Sequence, residues 1–380
     1  MHPVCPPMKL VFWQNMLAFH QSAHVRALAE QGHDVPFVSQ ETISDERKTM
    51  GWAVPDFGQA QVVIAPNHVR IRQLVVESPE DTIHVIGGIR GYQIGRKALA
   101  YCLATPRRVG FLSESPDVRS WKGTVRRLLY TQERIRYRQR IDFVLAMGQL
   151  GVRWFRQCGY PPSRVFPYAY LTERPSAVGG ASGDSDTLES PVELLLVGQC
   201  IPRKGGDIAL HALSRVQHSN WRLTIIGDGP SRKDLEILAA RLGMSERVRF
   251  LSFLPNQEAL QIMASSDLLV LPSRFDGWGA VVNEALMSGV PVICSDQCGA
   301  SDLLRSSWRG EVFESASVTR LSGLLKKWIT KGKRSPATTD RIKTWSRCIE
   351  GDSAAKYLSS VLRHVYEQTP LPEPPWYDEV

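Results

Sequence analysis

The chain has 380 residues and is 43% hydrophobic and 22% charged, with 46 basic and 38 acidic side chains for a net charge of +8. That balance excludes a disordered or collagen-like chain, and the length predicts two domains, or three, at roughly 100–200 residues each. No apolar run reaches the roughly 18–20 residues of a membrane span, and the start Met1-His2-Pro3-Val4-Cys5-Pro6-Pro7-Met8-Lys9 lacks the basic-then-apolar form of a signal peptide, so a cytoplasmic location is expected.

In chain order, the first strand is expected at Lys9–Trp13, a helix from about Ser22 to Gln31, and a second strand at Val35–Val38 after Gly32-His33-Asp34. Further strands are expected at Gln61–Ile64, Thr82–Ile86, Arg108–Leu112 and Phe143–Ala146, with helical stretches between most of them. Residues 174–191 are rich in Gly, Ser and Pro and read as a linker. A second alternating series follows. Its strands are Val192–Val197, Trp221–Ile226, Val248–Phe250, Leu268–Leu271 and Val290–Cys294, and its helices lie near Asp207–Val216, Arg232–Leu242 and Ala280–Ser288. Strands alternating with helices predict parallel βαβ units. Two such sheets facing a central cleft would place the ligand beyond their strand ends. The seven cysteines, at 5, 102, 158, 200, 294, 298 and 348, form no C-x2-C pair, so neither a zinc site nor a disulfide framework is expected.

Three stretches carry candidate chemistry. In Leu268–Ile293, a strand runs into the loop Asp276-Gly277-Trp278-Gly279 and then a helix holding Glu284. Glycines ahead of a helix leave backbone N–H groups free for an anion, and two carboxylates eight apart can accept from vicinal hydroxyls. A plain strand–loop–helix gives the same local pattern. In Leu194–Asp207, a strand ends at Gly198, and Arg203-Lys204-Gly205-Gly206 precedes a helix, which suits a diphosphate; the spacing is not that of a P-loop. In Ile225–Pro230, Gly227-Asp228-Gly229-Pro230 is a glycine-rich turn after a strand.

In this order the stretches VGQCIPRKGG, LTIIGDGPSRKDLE, VRFLSFLPNQEAL and DLLVLPSRFDGWGAVVNEALMSGVPVICSD resemble the family-4 retaining glycosyltransferases of GT-B architecture, specifically over about residues 192–303. The resemblance implies two Rossmann-like parallel-sheet domains: an N-terminal acceptor-binding domain at 1–173, the linker, a nucleotide-sugar domain at 192–344, and a helix and tail at 345–380 crossing back to the N-terminal domain. It implies that Glu284 holds the donor ribose, Asp276 the donor sugar, and Lys204 the diphosphate. Gly277, Trp278, Gly279 and Ala280 would offer backbone to sugar and phosphate, with Gly198, Arg203 and Gly227 around them. Transfer in this family retains the anomeric configuration, uses no metal or cofactor, and takes a UDP- or GDP-linked donor; the donor phosphate receives the acceptor proton.

This chain departs from the pattern in four places. The first acid is Asp276 rather than Glu, the Arg after the first glycine is Gln199, Gln14-Asn15-Met16 replaces a Gly-Gly loop, and Ser113-Glu114-Ser115 stands where a histidine is usual. On the acceptor side His20, His24, Arg90 and Glu114 are candidates. A GT-B epimerase or phosphorylase, and a donor-binding protein without transfer activity, remain alternatives.

The positive charge is concentrated. Residues 101–164 hold 13 basic and 4 acidic side chains, and 119–140 read RSWKGTVRRLLYTQERIRYRQR. No nucleic-acid motif accompanies them. Reversible electrostatic docking on an anionic membrane, the inner leaflet, is expected, with a lipid-linked saccharide acceptor in surface polysaccharide assembly; a solvated basic face serving only solubility is the alternative. The apolar face reads as clean only at Val125, Leu128 and Leu129, which argues against an embedded amphipathic helix.

Overall fold

The computed structural model describes residues 6–49, 51–88, 92–119, 121–137, 139–172, 174, 190–216 and 220–377. Most of the expected linker and Arg90 lie outside them. The first half runs β1 (Leu10–Gln14), α1 (Phe19–Glu30), β2 (Phe37–Ser39), α2 (Asp45–Thr49), β3 (Val62–Ile64), α3 (His68–Val76), β4 (Ile83–Gly87), α4 (Gln93–Ala104), β5 (Arg108–Ser113), α5 (Trp121–Tyr137), β6 (Phe143–Met147), α6 (Gly148–Gln157) and β7 (Val165–Tyr168). The second half runs β8 (Val192–Val197), α7 (Gly206–Leu213), β9 (Trp221–Ile226), α8 (Arg232–Arg241), β10 (Val248–Leu251), α9 (Asn256–Ser265), β11 (Leu268–Leu271), α10 (Val281–Met287), β12 (Val292–Ser295), β13 (Gly310–Phe313), α11 (Val318–Lys331), α12 (Pro336–Trp345) and α13 (Gly351–Glu367).

Two all-parallel sheets result, in the orders β3-β2-β1-β4-β5-β6-β7 and β10-β9-β8-β11-β12-β13. The central strands are short apolar runs buried on both faces, as parallel strands covered by helices must be. In each sheet the strand order reverses once, between β1 and β4 and between β8 and β11. Ligands of doubly wound sheets bind beyond the strand ends beside such a reversal.

Several strand boundaries shift for one reason. A strand expected from Val35 starts at Phe37, and one expected from Val290 starts at Val292. Pro36 and Pro291 have no N–H to give a neighbouring strand, although the carbonyl of each accepts, from Phe12 at 2.9 Å and from Leu269 at 3.0 Å. Two strands were not foreseen, β7 and β13. Both are sheet edges: β7 contains Pro167, and β13 is short with Val312 exposed.

The chain divides into two compact units, one holding the first sheet together with the segment from Cys348 onward, the other holding Thr49–Trp52 and Arg174–Arg347. The helix expected to start near Trp345 starts at Gly351; Trp345 instead ends α12 in the second unit. α13 lies on α1. Its Tyr357 hydroxyl donates to the Pro167 carbonyl at 3.0 Å, and its Tyr366 hydroxyl donates to Asp142 Oδ2 at 2.9 Å. Gly351 is the point of close approach, since a Cβ there would stand 2.6 Å from the Ala23 carbonyl oxygen of α1.

In α5, Leu129 is half-buried while Trp121 and Ile135 are exposed. The exposed apolar face is therefore longer than, and differently placed from, the one expected at Val125, Leu128 and Leu129.

Replacing Gly351 by Ala is expected to lower the stability of the first unit by about 1–3 kcal/mol, because α13 must lift from α1 to admit one methyl group. Denaturant unfolding followed through the first unit's aromatic signal checks this.

Candidate functional site

The second unit's reversal point is bordered by the loop after β8 and the loop after β11, and most of the candidate residues fall on these two, with Gly227 in the turn after β9 and Glu284 in α10. β8 ends at Val197. Gly198, at φ 150°, and Gly227, at φ 148°, then let the turns after β8 and β9 touch: a Cβ on Gly227 would stand 2.0 Å from the Gly198 carbonyl oxygen. The turns are laced by Gly198 N–H to the Ile226 carbonyl at 2.9 Å and Cys200 N–H to the Asp228 carbonyl at 2.7 Å. Gly198 and Gly227 thus have a packing role, and Gly198 also leaves the stem of Lys204 as its neighbour.

A single 3-10 turn, Pro202–Lys204, follows, and Gly205, at φ 72°, leads into α7. A side chain on Gly205 would strike the Pro272 carbonyl, so this glycine also lets the β8 loop lie against the β11 loop. Across that seam Lys204 Nζ donates to Asp276 Oδ2 at 2.6 Å, with both side chains largely buried. Arg203 donates to the Phe275 carbonyl at 2.9 Å and stands 3.8 Å from Asp276 Oδ1. The structure therefore brings Arg203, Lys204 and Asp276 together.

Sequence reasoning missed Arg274. Its guanidinium forks onto both Asp207 oxygens, at 2.8 and 2.6 Å, and reaches the Pro202 carbonyl at 2.7 Å. Burial opposes ionisation of Asp207, but the Arg274 contact overrides it and holds the carboxyl below its ordinary range. The Arg in SRFDG gave no signal of its own, because its partner lies 67 residues away.

The Asp276–Ala280 loop is tied to the segment after β12. Asp276 N–H donates to the Gln297 carbonyl at 2.9 Å, and Gly299 N–H donates to the Asp276 carbonyl at 3.1 Å. Gly279, at φ 92°, leaves no room for a Cβ beside Cys298 Sγ. The Trp278 ring is buried and its Nε1 donates to Asn283 Oδ1 at 2.8 Å, so any contribution it makes to a ligand comes from its backbone. Gly277 and Ala280 flank it ahead of α10, and Glu284 stands in the first turn of that helix. The half-buried Glu284 side chain has no hydrogen-bond partner among the described residues, and burial pushes its carboxyl up to about 7.

On the first unit, the acceptor-side candidates separate. His20, at the start of α1, lies against Tyr170, with ring centroids 3.9 Å apart, and the Tyr170 hydroxyl bonds to the Glu114 carboxylate beyond β5. His20 and Glu114 thus meet through a tyrosine that the sequence reading missed. Burial, reinforced by the Glu114 charge, holds the Tyr170 phenol well above its ordinary value. His24 does not join them. It is buried between the rings of Phe12 and Tyr168, at 5.5 and 6.2 Å, and is a core residue. Burial lowers His20 to about 3 and His24 to about 4, so both are neutral near pH 7. At this unit's own reversal point the Gln14 amide lies over Gly87, where any side chain would displace it. Among the described residues no three His, Cys, Asp or Glu side chains converge as a metal site would require.

Residues 184–345 match the family model described as "Glycosyl transferases group 1". The lipopolysaccharide glucosyltransferase WaaG of Escherichia coli is 33% identical over 142 residues, 36% of this chain and 37% of that protein. A GDP-mannose-dependent alpha-(1-6)-phosphatidylinositol monomannoside mannosyltransferase of Mycobacterium tuberculosis is 23% identical over 85% of this chain and 86% of that protein. The chain spans only about a third of the length of several other curated glycosyltransferases it matches. Among solved structures, Anabaena HepE in complex with UDP superposes with a TM-score of 0.71 at 15% identity, over 93% of this chain and 99% of that one. The second unit is therefore similar to the group 1 glycosyltransferases over the matched residues, and the whole chain has the GT-B fold.

Glu284 gives a test that needs no substrate. The folded chain keeps this proton up to about pH 7, whereas the unfolded chain releases it near the model-peptide value of 4.5. The folded state thus binds more protons between those values, and its stability from this group falls as pH rises through them. Glu284→Gln is expected to leave the unfolding midpoint unchanged near pH 4.5 and to raise it at pH 8, in thermal scans of the unliganded protein.

Proposed function

We propose that the chain is a retaining, metal-independent glycosyltransferase that moves a sugar from a UDP- or GDP-linked donor to a saccharide acceptor. The observation that carries this is the Lys204–Asp276 pair at the reversal point of a unit similar to the group 1 glycosyltransferases, 2.6 Å across the seam between two loops. An ammonium has three protons. One is engaged by Asp276, and the other two are available to a diphosphate.

When the anomeric C–O bond breaks, its electron pair goes to the leaving diphosphate, and an oxocarbenium-like centre remains. Lys204, with Arg203 beside it, stabilises the charge growing on the diphosphate, and that stabilisation is greatest in the transition state. Asp276 accepts from hydroxyls of the donor sugar and Glu284 from the ribose. The acceptor hydroxyl loses its proton to a phosphate oxygen of the leaving group as the new bond forms on the same face. Positioning supplies much of the remaining acceleration. Relatives named for GDP-mannose and a structural neighbour solved with UDP support a nucleotide-sugar donor. Relatives named for lipopolysaccharide and phosphatidylinositol mannoside substrates support a lipid-linked saccharide acceptor.

A thermal-shift screen with UDP-, GDP- and ADP-sugars identifies the donor, and turnover is then read by release of the nucleoside diphosphate with a saccharide acceptor present. Lys204→Ala is expected to lower turnover about 100-fold or more while weakening free nucleotide far less. Asp276→Asn is expected to lower turnover more than nucleotide binding, since its partner is the sugar. Arg203→Ala is expected to have a smaller effect than Lys204→Ala. Wild-type turnover in both the Lys204 and Asp276 variants would overturn the assignment. Epimerised donor or free sugar as the sole product would replace transfer by another reaction.

A further inference from the structure

Helix α5 carries an apolar face that nothing among the described residues covers. Trp121 is 73% exposed, Leu128 66% and Ile135 56%; Val125 is exposed between them, and Val118 is exposed just ahead of the helix. These five are among only twelve large exposed hydrophobic side chains in the described residues. Scattered apolar side chains on a surface need no explanation, but a contiguous stripe does.

The helix geometry makes it a stripe. At 3.6 residues per turn, Trp121, Val125 and Leu128 fall within an arc of about 60°, and Ile135 continues their line past the exposed Gln132, about 80° in all. The opposite side is the one that packs. Gly123 is buried, and Tyr130 meets Trp154 and Phe155 with ring centroids 5.4 and 6.2 Å away. The stripe therefore points directly away from the first unit's core.

Cations border it. Lys122, Arg126 and Arg136 project on one flank and Arg127 on the other, all exposed, and Glu133 is the single acidic side chain of the helix. An apolar ridge centred between basic flanks matches the cross-section of an anionic bilayer surface, with acyl chains below and phosphates at the level of the cations.

We propose that α5 lies in the plane of an anionic membrane with Trp121, Val125, Leu128 and Ile135 inserted among the lipid chains and the flanking Lys and Arg side chains on the phosphates. This goes beyond purely electrostatic docking and places the chain as a peripheral protein of a cytoplasmic leaflet. Two contributions follow. The electrostatic one fades with salt, and the apolar one does not.

The experiment is co-sedimentation of the full chain with vesicles of equal parts phosphatidylcholine and phosphatidylglycerol, and with phosphatidylcholine alone. It uses neither donor nor acceptor, so its outcome is independent of the transfer reaction. Binding is expected with the anionic vesicles, reduced but still measurable at high salt, and weak with the neutral ones. Leu128→Asp and Trp121→Ala are each expected to reduce partitioning about tenfold and to remove the salt-resistant part. Replacing Arg126, Arg127 and Arg136 by Gln is expected to remove the salt-sensitive part. Unchanged thermal midpoints in these surface variants show that the fold is intact. No binding to anionic vesicles overturns the proposal, as does binding that Leu128→Asp leaves unaltered. A concentration-dependent dimer abolished by Leu128→Asp would assign the stripe to a second copy of the chain instead.

Discussion

The geometry of the second unit's candidate site depends on two ion pairs that cross one seam in opposite senses. Lys204, from the β8 side, meets Asp276 from the β11 side; Arg274, from the β11 side, meets Asp207 from the β8 side. A largely buried charge is costly alone, so removal of either partner from the Lys204–Asp276 pair leaves the other exposed to that cost. With opposite polarity, the two pairs resist sliding of one loop past the other, since a slip would bring like charges together. The glycines at 198, 205 and 227 make the crossing possible: backbone passes too closely to 205 and 227 for a Cβ, and Gly198 holds a φ of 150° that other residues rarely adopt. Loop position, helix start and the placing of Asp276 are thus a single constraint.

Burial inverts the usual division of protonation roles. Histidines ordinarily titrate near neutral pH, but His20, His24 and His84 are pushed to about 3, 4 and 3 and stay uncharged. A carboxylate takes their range instead, with Glu284 raised to about 7. Desolvation causes both shifts, since it always disfavours the charged form. A ligand hydroxyl that donates to Glu284 stabilises the ionised form and so draws its titration back down.

Much of the second unit was legible in the sequence because its information is local. Strands β8, β9 and β11 begin and end where the apolar runs do, and glycine-bearing loops announce Lys204 and Asp276 directly and Glu284 in the helix that follows. What was not legible depends on distant partners. β7 and β13 are edges with weaker apolar patterns. Tyr170 gains its place only when the end of β7 comes beside His20 and Glu114. Arg274 needs Asp207, and His24 reads as a surface candidate until Phe12 and Tyr168 enclose it. The stripe on α5 was obscured because Leu129 sits next to Leu128 in sequence, and only the packing of Tyr130 settles which side faces inward.

The first unit is discontinuous along the chain: its sheet comes from the first half, while α13 and the segment carrying Trp376 come from the end. The second unit is nearly one uninterrupted stretch. During synthesis, the first sheet therefore emerges early but keeps one face of α1 bare until α13 has left the ribosome. Meanwhile the second unit can close on itself. The long loop between α1 and α13 makes their union entropically slow, and the bare face is the surface on which a nascent chain is most open to chaperone capture or misassembly.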